Sequence, residues 1–293
     1  MLTYFQAIVL GVLQGVTELF PVSSLGHSVI LPQLLGWTDV VAAQSAAESY
    51  FLAFLVGLHV ATALALLLFY RSTWARIVAG LVESLRTRRI ETPDQRLGWL
   101  LVVATIPAGI VGLLFEHALR VVFARPLAAA AFLVLNGLIL LFGEWVRRRA
   151  EVRDVVAAHE TTTAGDRRLD TLEFREAGAV GVAQVFALLP GISRSGITMV
   201  AGLARGLDHE DAARFSFLLA TPVILAAGLY KLPDLLGPNG DGVRPQILAG
   251  SVAAFIAAYI SVRFLTRWFT TRTLLPFAVY SLVVGLLAVV RFA

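Results

Sequence analysis

Residues 51–70 read FLAFLVGLHVATALALLLFY, with one imidazole and no carboxylate, ammonium or guanidinium. A helix needs about 20 mostly apolar residues to cross the hydrocarbon core of a bilayer, and this block supplies them. Blocks of the same kind recur at 97–115, 126–143, 245–262 and 273–290. A soluble core has no use for so many. Across the 293 residues, 58% are hydrophobic and 15% charged, whereas soluble domains carry about 25% charged residues. The mean hydropathy is +0.78. The sequence therefore reads as an all-α polytopic membrane protein, with six transmembrane helices at 50–70, 97–115, 126–145, 213–230, 246–263 and 274–291. Two further apolar stretches, 5–35 and 177–203, are interrupted by Gly, Pro, Ser and a charge, and are expected to form two re-entrant helix pairs.

Composition removes several chemistries. Cysteine is absent, which excludes disulfides and thiolate catalysis. The net charge of +4 sits on arginines between apolar blocks, which points to a membrane and not to nucleic acid. The first charge is Glu18 and no basic segment precedes it, so no cleaved signal peptide is expected.

The arginines also orient the chain. Arg71, Arg76, Arg86, Arg88, Arg89 and Arg96 fill one inter-span segment, and Arg147, Arg148, Arg149, Arg153, Arg167, Arg168 and Arg175 fill another. Two spans separate these segments, so they share a side, which the positive-inside rule makes cytoplasmic. The opposite side holds only Arg120, Arg125, Lys231, Arg244 and Arg291, and both termini then face outward. The polar stretch 147–175 reads as a cytoplasmic connector, partly helical at most, between halves at 1–146 and 176–293 of one membrane domain.

Those halves resemble each other. QAIVLGVLQGVTELFPVSSLGHS (6–28) aligns with EAGAVGVAQVFALLPGISRSGIT (176–198) at an offset of 170. Ala7, Gly11, Val12, Gln14, Leu19, Ser23 and Gly26 fall on Ala177, Gly181, Val182, Gln184, Leu189, Ser193 and Gly196. Three spans follow each copy, so the second copy is inverted relative to the first. Inverted-topology internal repeats with broken helices place ligand sites near the midplane, where the interruptions meet.

Non-helical backbone at membrane depth is tolerated only when buried in protein or lining a wet cavity. Pro21, Gly26, Pro190, Gly191 and Gly196 break the two copies beside Glu18, Ser23, Ser24, His27, Ser193, Arg194, Ser195 and Thr198. Ionisable side chains in apolar stretches mark a functional site by default. The bland alternative is a structural Glu–Arg pair, which leaves the surrounding hydroxyls unused. PGISRSG opens a helix with backbone N–H groups, hydroxyls and Arg194, an anion cradle suited to phosphate. Ser23, Ser193, Ser195, Gly196 and Thr198 are its expected phosphate-holding partners. Ser24 and His27 stand at i and i+3, a spacing that lets a nucleophile meet its base. Ser23 is not excluded by spacing, and His27 could instead attack phosphorus directly. Glu18 could hold a divalent cation or orient His27, with Gln14 one helical turn before it.

QGVTELFPVSSLGH and PGISRSGIT resemble the two signature motifs of the undecaprenyl-diphosphate phosphatase (bacitracin-resistance) family, and AARFSFLLATPVILAAG (212–228) is similar to that family too. The resemblance implies six crossings, two re-entrant pairs and a pocket open to the outer face of the bacterial cell membrane. It implies release of phosphate from undecaprenyl diphosphate, which regenerates the monophosphate carrier for peptidoglycan synthesis and confers bacitracin resistance. It also implies a divalent cation, Mg2+ or Ca2+. Many members carry Glu where Gln14 stands, so this chain offers one carboxylate, Glu18, where they offer two. The expected partners are a polyprenyl diphosphate and the bilayer, with no nucleic acid, and a homodimer stays open as an assembly. VSSLGH also resembles an element of acid-phosphatase-like lipid phosphatases, but Val200 stands where their basic stretch needs arginine.

The competing reading is a polyprenyl-phosphate lipid transporter or flippase, since broken inverted repeats suit transport. Ser24, His27 and Arg194 together favour chemistry, because transport needs no nucleophile. His59, in mid-span, reads equally as pocket lining or as a hydrogen-bonded bundle histidine, and stays outside the candidate site. Asn136 reads as an interhelical hydrogen-bond partner. Glu48 and Gln44 are weak candidates for phosphate or metal admission, and His159 reads as a solvated connector residue.

Overall fold

The computed structural model describes residues 2–45, 50–115, 125–158, 169–230, 237 and 241–293, and among them it forms helices and no strand. The helices are α1 (Tyr4–Thr17), α2 (Ser24–Leu34), α3 (Thr38–Ser45), α4 (Tyr50–Phe69), α5 (Arg71–Thr87) and α6 (Pro93–Leu114). Then follow α7 (Pro126–Ala158), α8 (Phe174–Val185), α9 (Arg194–Leu203), α10 (His209–Tyr230), α11 (Arg244–Trp268) and α12 (Leu275–Phe292). Among the described residues six helices are long and apolar enough to cross a membrane: α4, α6, α7 over Pro126–Arg149, α10, α11 and α12. They fall on the six expected spans. The protein is a multi-pass membrane protein.

The spans are two-faced in the manner lipid demands. Along α11, Leu248, Val252, Ile256, Ile260 and Phe264 are exposed at four-residue spacing. A stripe of that kind in water would be an association hazard; acyl chains cover it at no cost. The inward face is built from small residues. Without a hydrophobic drive between helices in lipid, close backbone approach supplies the packing. A Cβ on Gly11 of α1 would collide with the Gly250 carbonyl of α11, and one on Gly15 with the Ala254 carbonyl one turn on. A Cβ on Gly181 of α8 would likewise collide with the Ala104 carbonyl of α6. α7 and α12 interlock the same way, Gly137 against Ala278 and Gly285 against Ala130.

Helix starts follow their caps. Thr3 and Gln6 form a capping box on α1, and Thr92 and Gln95 another on α6, which has Pro93 in its first turn. Two polar segments carry helix. Most of the arginine-rich inter-span segment 71–96 is α5, whose Thr73, Ile77 and Ser84 are buried. The connector starts as an unbroken continuation of α7 to Ala158, in keeping with a partly helical stretch. His159 and Glu48 lie outside the described residues. Gln44 donates to the Ser28 carbonyl (2.8 Å), a tie between α3 and α2.

Candidate active site

Chain reversal after α1 creates the first half of the site. Pro21 lacks an N–H, and the residue before a proline is pushed out of the helical region, so α1 ends at Thr17. Gln14 and Glu18 sit one turn apart at this end, both buried. The chain turns through Ser23, whose φ is 71°, the left-handed region that a β-carbon disfavours. Its hydroxyl explains why the conformation holds. Ser23 Oγ accepts from Gly26 N–H (3.3 Å), capping α2, and from Gly191 N–H (3.1 Å) in the other turn.

The second half is the turn between α8 and α9. A short 3-10 turn, Phe186–Leu188, leads to Pro190 and then to Gly191 at φ 108°. A side chain at Gly191 would run into the Ala129 carbonyl of α7, so only glycine fits. Ser193 caps α9 by accepting from Gly196 N–H (3.1 Å). Asn136 of α7 clamps the two turns together. It donates to the Pro21 carbonyl (2.9 Å) and to Ser281 Oγ (3.2 Å), and accepts from Ser193 N–H (2.9 Å).

Where the turns meet, Glu18 becomes a hub. Arg194 Nη2 donates to Glu18 Oε1 (2.7 Å), joining residues from the two halves. Ser24 Oγ donates to Oε2 (2.5 Å), and Gln14 Nε2 donates to the same oxygen (3.1 Å). The Ser24 contact has the short length of a charge-assisted O–H···O⁻ bond. His59 Nε2 of α4 lies 3.5 Å from Oε2. Its Nδ1 is 2.8 Å from the Leu55 carbonyl, which can only accept, so Nδ1 carries a hydrogen and Nε2 faces the carboxylate. Glu18 is 7% exposed and the His59 side chain 31%, so the histidine is the more exposed partner of a buried carboxylate. Arg194 Nη1 is buried with no hydrogen-bond partner. A guanidinium with one arm fixed and one arm unsatisfied is poised for an anion.

Several expectations change. Ser24 and His27 do not pair. The Ser24 hydroxyl goes to Glu18, while His27 Nδ1 donates to the Ser23 carbonyl (2.7 Å) and Nε2 meets Tyr280 Oη (2.9 Å). The His27 and Tyr280 rings stack 5.7 Å apart. A buried carboxylate must be satisfied, and it captures the nearest hydroxyl. Ser193 Oγ shares a hydrogen with Ser195 Oγ (3.0 Å), and Thr198 Oγ1 is tied to the Arg194 carbonyl (2.8 Å) and Ser216 Oγ (2.7 Å). Their hydroxyls, like the Gly196 N–H, fasten α9 into the bundle, which leaves the Nη1 arm of Arg194 as the unsatisfied donor of that turn. Asn136 is the interhelical partner expected of it. His59 and Tyr280 join the constellation. The mid-span imidazole of His59 was a usable signal; a tyrosine in an apolar span carried none.

The whole of this geometry lies inside residues 7–287, which match the family described as bacitracin resistance protein BacA. The chain belongs to this family. Among its relatives within that family, an undecaprenyl-diphosphatase of Mycolicibacterium paratuberculosis is 58% identical over 97% of this chain and 95% of its own. Undecaprenyl-diphosphatase 2 of Frankia alni is 55% identical over 100% and 98%, and an undecaprenyl-diphosphatase of Granulibacter bethesdensis 46% over 98% and 97%. Both turns of this BacA family member therefore sit within the shared region.

Proposed function

We propose that the chain hydrolyses undecaprenyl diphosphate to undecaprenyl phosphate and inorganic phosphate, recycling the carrier for peptidoglycan synthesis. The relatives' names support the substrate. The observation that carries the chemistry is the Glu18 hub: one carboxylate bound to a serine hydroxyl on one side and to an arginine with an unsatisfied arm on the other.

In this reading Arg194 holds the terminal phosphate and neutralises charge that develops on its oxygens. Ser24 Oγ attacks the terminal phosphorus while its proton passes to Glu18, the base to which it is already bonded. The bond to the bridging oxygen breaks, and undecaprenyl phosphate leaves. Glu18 releases the proton, takes another from an attacking water, and returns it to Ser24 Oγ as phosphate departs. His27 is held by Ser23 and Tyr280 beside the start of α2. The donor set fits a divalent cation that draws most ligands from the diphosphate and water. Among the described residues no cluster of three or more carboxylate and imidazole ligands occurs, but Gln14 Oε1 is buried without a partner beside Glu18. Glu18 and Gln14 would hold such a cation, which would offset the diphosphate charge.

Phosphate release from a polyprenyl diphosphate by purified protein in detergent tests this. A transporter gives no release in detergent, where no sides exist, and that result would overturn the proposal.

The same proposal includes two re-entrant pairs, an inverted repeat of 1–146 on 176–293, outward termini and a site open to the outer face. Repeat-related features support it. Ser23 and Ser193 cap α2 and α9 alike, and the paired Gly11 and Gly181 make the same backbone approach. The exchange is crosswise: α1 packs on α11 and α8 on α6, each on the middle span of the other half. Reporters fused within 147–175 should read as cytoplasmic and those after Ala293 as external. A cytoplasmic C-terminus would refute the topology without touching the chemistry.

A further inference from the structure

α5 is a helix for which the proposed catalysis has no use. It runs Arg71–Thr87 between the end of α4 at Phe69 and the start of α6 at Pro93. Both neighbours are candidate spans, so both ends of α5 are pinned to one face of the membrane. One side of α5 packs on α6: Ile77 and Leu81 close over Gly98, and Trp99 Nε1 donates to Ser84 Oγ (2.9 Å). Another side is unpartnered and apolar. Val78, Val82 and Leu85 are 53%, 52% and 62% exposed and recur at i, i+4 and i+7, one continuous stripe. Arginines flank that stripe. Arg76 pairs with Asp94 (3.3 Å) and Arg89 with Glu91 (3.6 Å), both in exposed contacts that hold little. Arg86 and Arg88 are exposed and form no ion pair among the described residues. Arg88 ends the helix in the left-handed conformation, turning the chain at that point.

An apolar stripe edged with guanidinium groups and tethered at a membrane face matches the chemistry of a leaflet with negative headgroups. We propose that α5 lies in the interface of that leaflet, with Val78, Val82 and Leu85 among the acyl chains and Arg86, Arg88 and Arg89 on anionic phospholipid headgroups. Zwitterionic lipid satisfies the stripe but offers the arginines no net negative charge. Each engaged arginine should enrich anionic over zwitterionic lipid at the helix by roughly fivefold. The attraction is electrostatic and is weakened by salt.

The chain has no cysteine, so Val82→Cys gives one labelling site for an environment-sensitive fluorophore on protein reconstituted in nanodiscs. The expected result has three parts: shielding from aqueous iodide, quenching by acyl-brominated phosphatidylglycerol well above that by brominated phosphatidylcholine at equal mole fraction, and loss of the excess in high salt. Arg86→Gln with Arg88→Gln and Arg89→Gln should remove the excess and leave diphosphate hydrolysis unchanged, since α5 is outside the site. Free access of iodide to the label would overturn the interfacial placement. Equal quenching by the two lipids in the otherwise unaltered labelled chain would overturn the headgroup preference, with no further variant needed. Neither outcome depends on which reaction the chain catalyses.

Discussion

Replacing Arg194 by lysine keeps the positive charge and removes the planar fork. In the structure one arm of that fork is committed to Glu18 at 2.7 Å, and the other is buried and unsatisfied. A lysine ammonium reaching this point can neutralise Glu18 or approach the phosphate as a point charge, but it cannot present two fixed arms. The loss is then at least one charge-directed donor to the transferring phosphoryl group. Removing one preorganised donor of that kind costs about 2.7–4 kcal/mol, so kcat should fall between about 10²- and 10³-fold. A fall below about tenfold, roughly 1.4 kcal/mol of barrier, would be too small for a donor at the reacting group. Lysine is the informative substitution because Arg194→Ala also strands a buried carboxylate, a defect that costs about 3–5 kcal/mol of stability and blurs the result. The assay is phosphate release from a polyprenyl diphosphate in detergent, with thermal unfolding of the same samples as the control for folding. Near-wild-type kcat in a well-folded Arg194→Lys protein would refute the argument and reduce Arg194 to a structural partner of Glu18.

Ser24→Ala should lower the rate at least about 10²-fold, the usual cost of losing a proton-transfer partner at the reacting group; if it keeps more than a tenth of the rate, Ser24 is no nucleophile and direct attack by His27 moves ahead. Ser23→Ala should act on stability instead, since Ser23 Oγ receives two backbone N–H groups, and loss of each buried partner costs about 1–3 kcal/mol. His59→Ala should reduce kcat and leave the unfolding temperature nearly unchanged, because His59 touches Glu18 from a side chain that is already 31% exposed; an unaltered pH–rate profile and kcat would remove it from the site. Asn136→Leu should lower both the unfolding temperature and kcat with little change in KM, as it frees Ser193 N–H and the Pro21 carbonyl from their clamp; unaltered stability would mean the turns dock without it.

The spans were legible because crossing a bilayer imposes a length and a composition that no other demand imposes at once, and the Gly and Pro breaks marked the two turns. α5 was not legible. Five arginines between residues 71 and 89 marked a cytoplasmic inter-span segment and no helix, and its helical face shows only once Ile77 is seen packed against Gly98. The Ser24–His27 pairing failed for a different reason. Spacing on a helix says which side chains can meet; competition decides which do. Glu18 is close enough to take the Ser24 hydroxyl, and the Ser23 carbonyl lies four residues before His27 and takes its Nδ1. Tyr280 reaches His27 across 253 residues of chain, a contact that no local pattern encodes.

The two turns are not interchangeable, and the proposed repeat shows where they parted. At the offset of 170, Ser23 aligns with Ser193 and Gly26 with Gly196, which are residues of fold, helix cap and close packing, while Gln14 aligns with a second buried amide, Gln184. Glu18 instead faces Leu188, Ser24 faces Arg194 and His27 faces Ile197. The carboxylate, hydroxyl and imidazole are all on the first turn, and the guanidinium is on the second. Neither turn alone holds an anion beside a nucleophile. Glu18 without Arg194 would be a stranded buried charge, and Arg194 without Glu18 would have no fixed arm. The proposed catalytic geometry therefore exists only when the turns are docked. The residues that match between the copies, Ser23 and Ser193, are also the ones that dock them, through Gly191 N–H and Asn136.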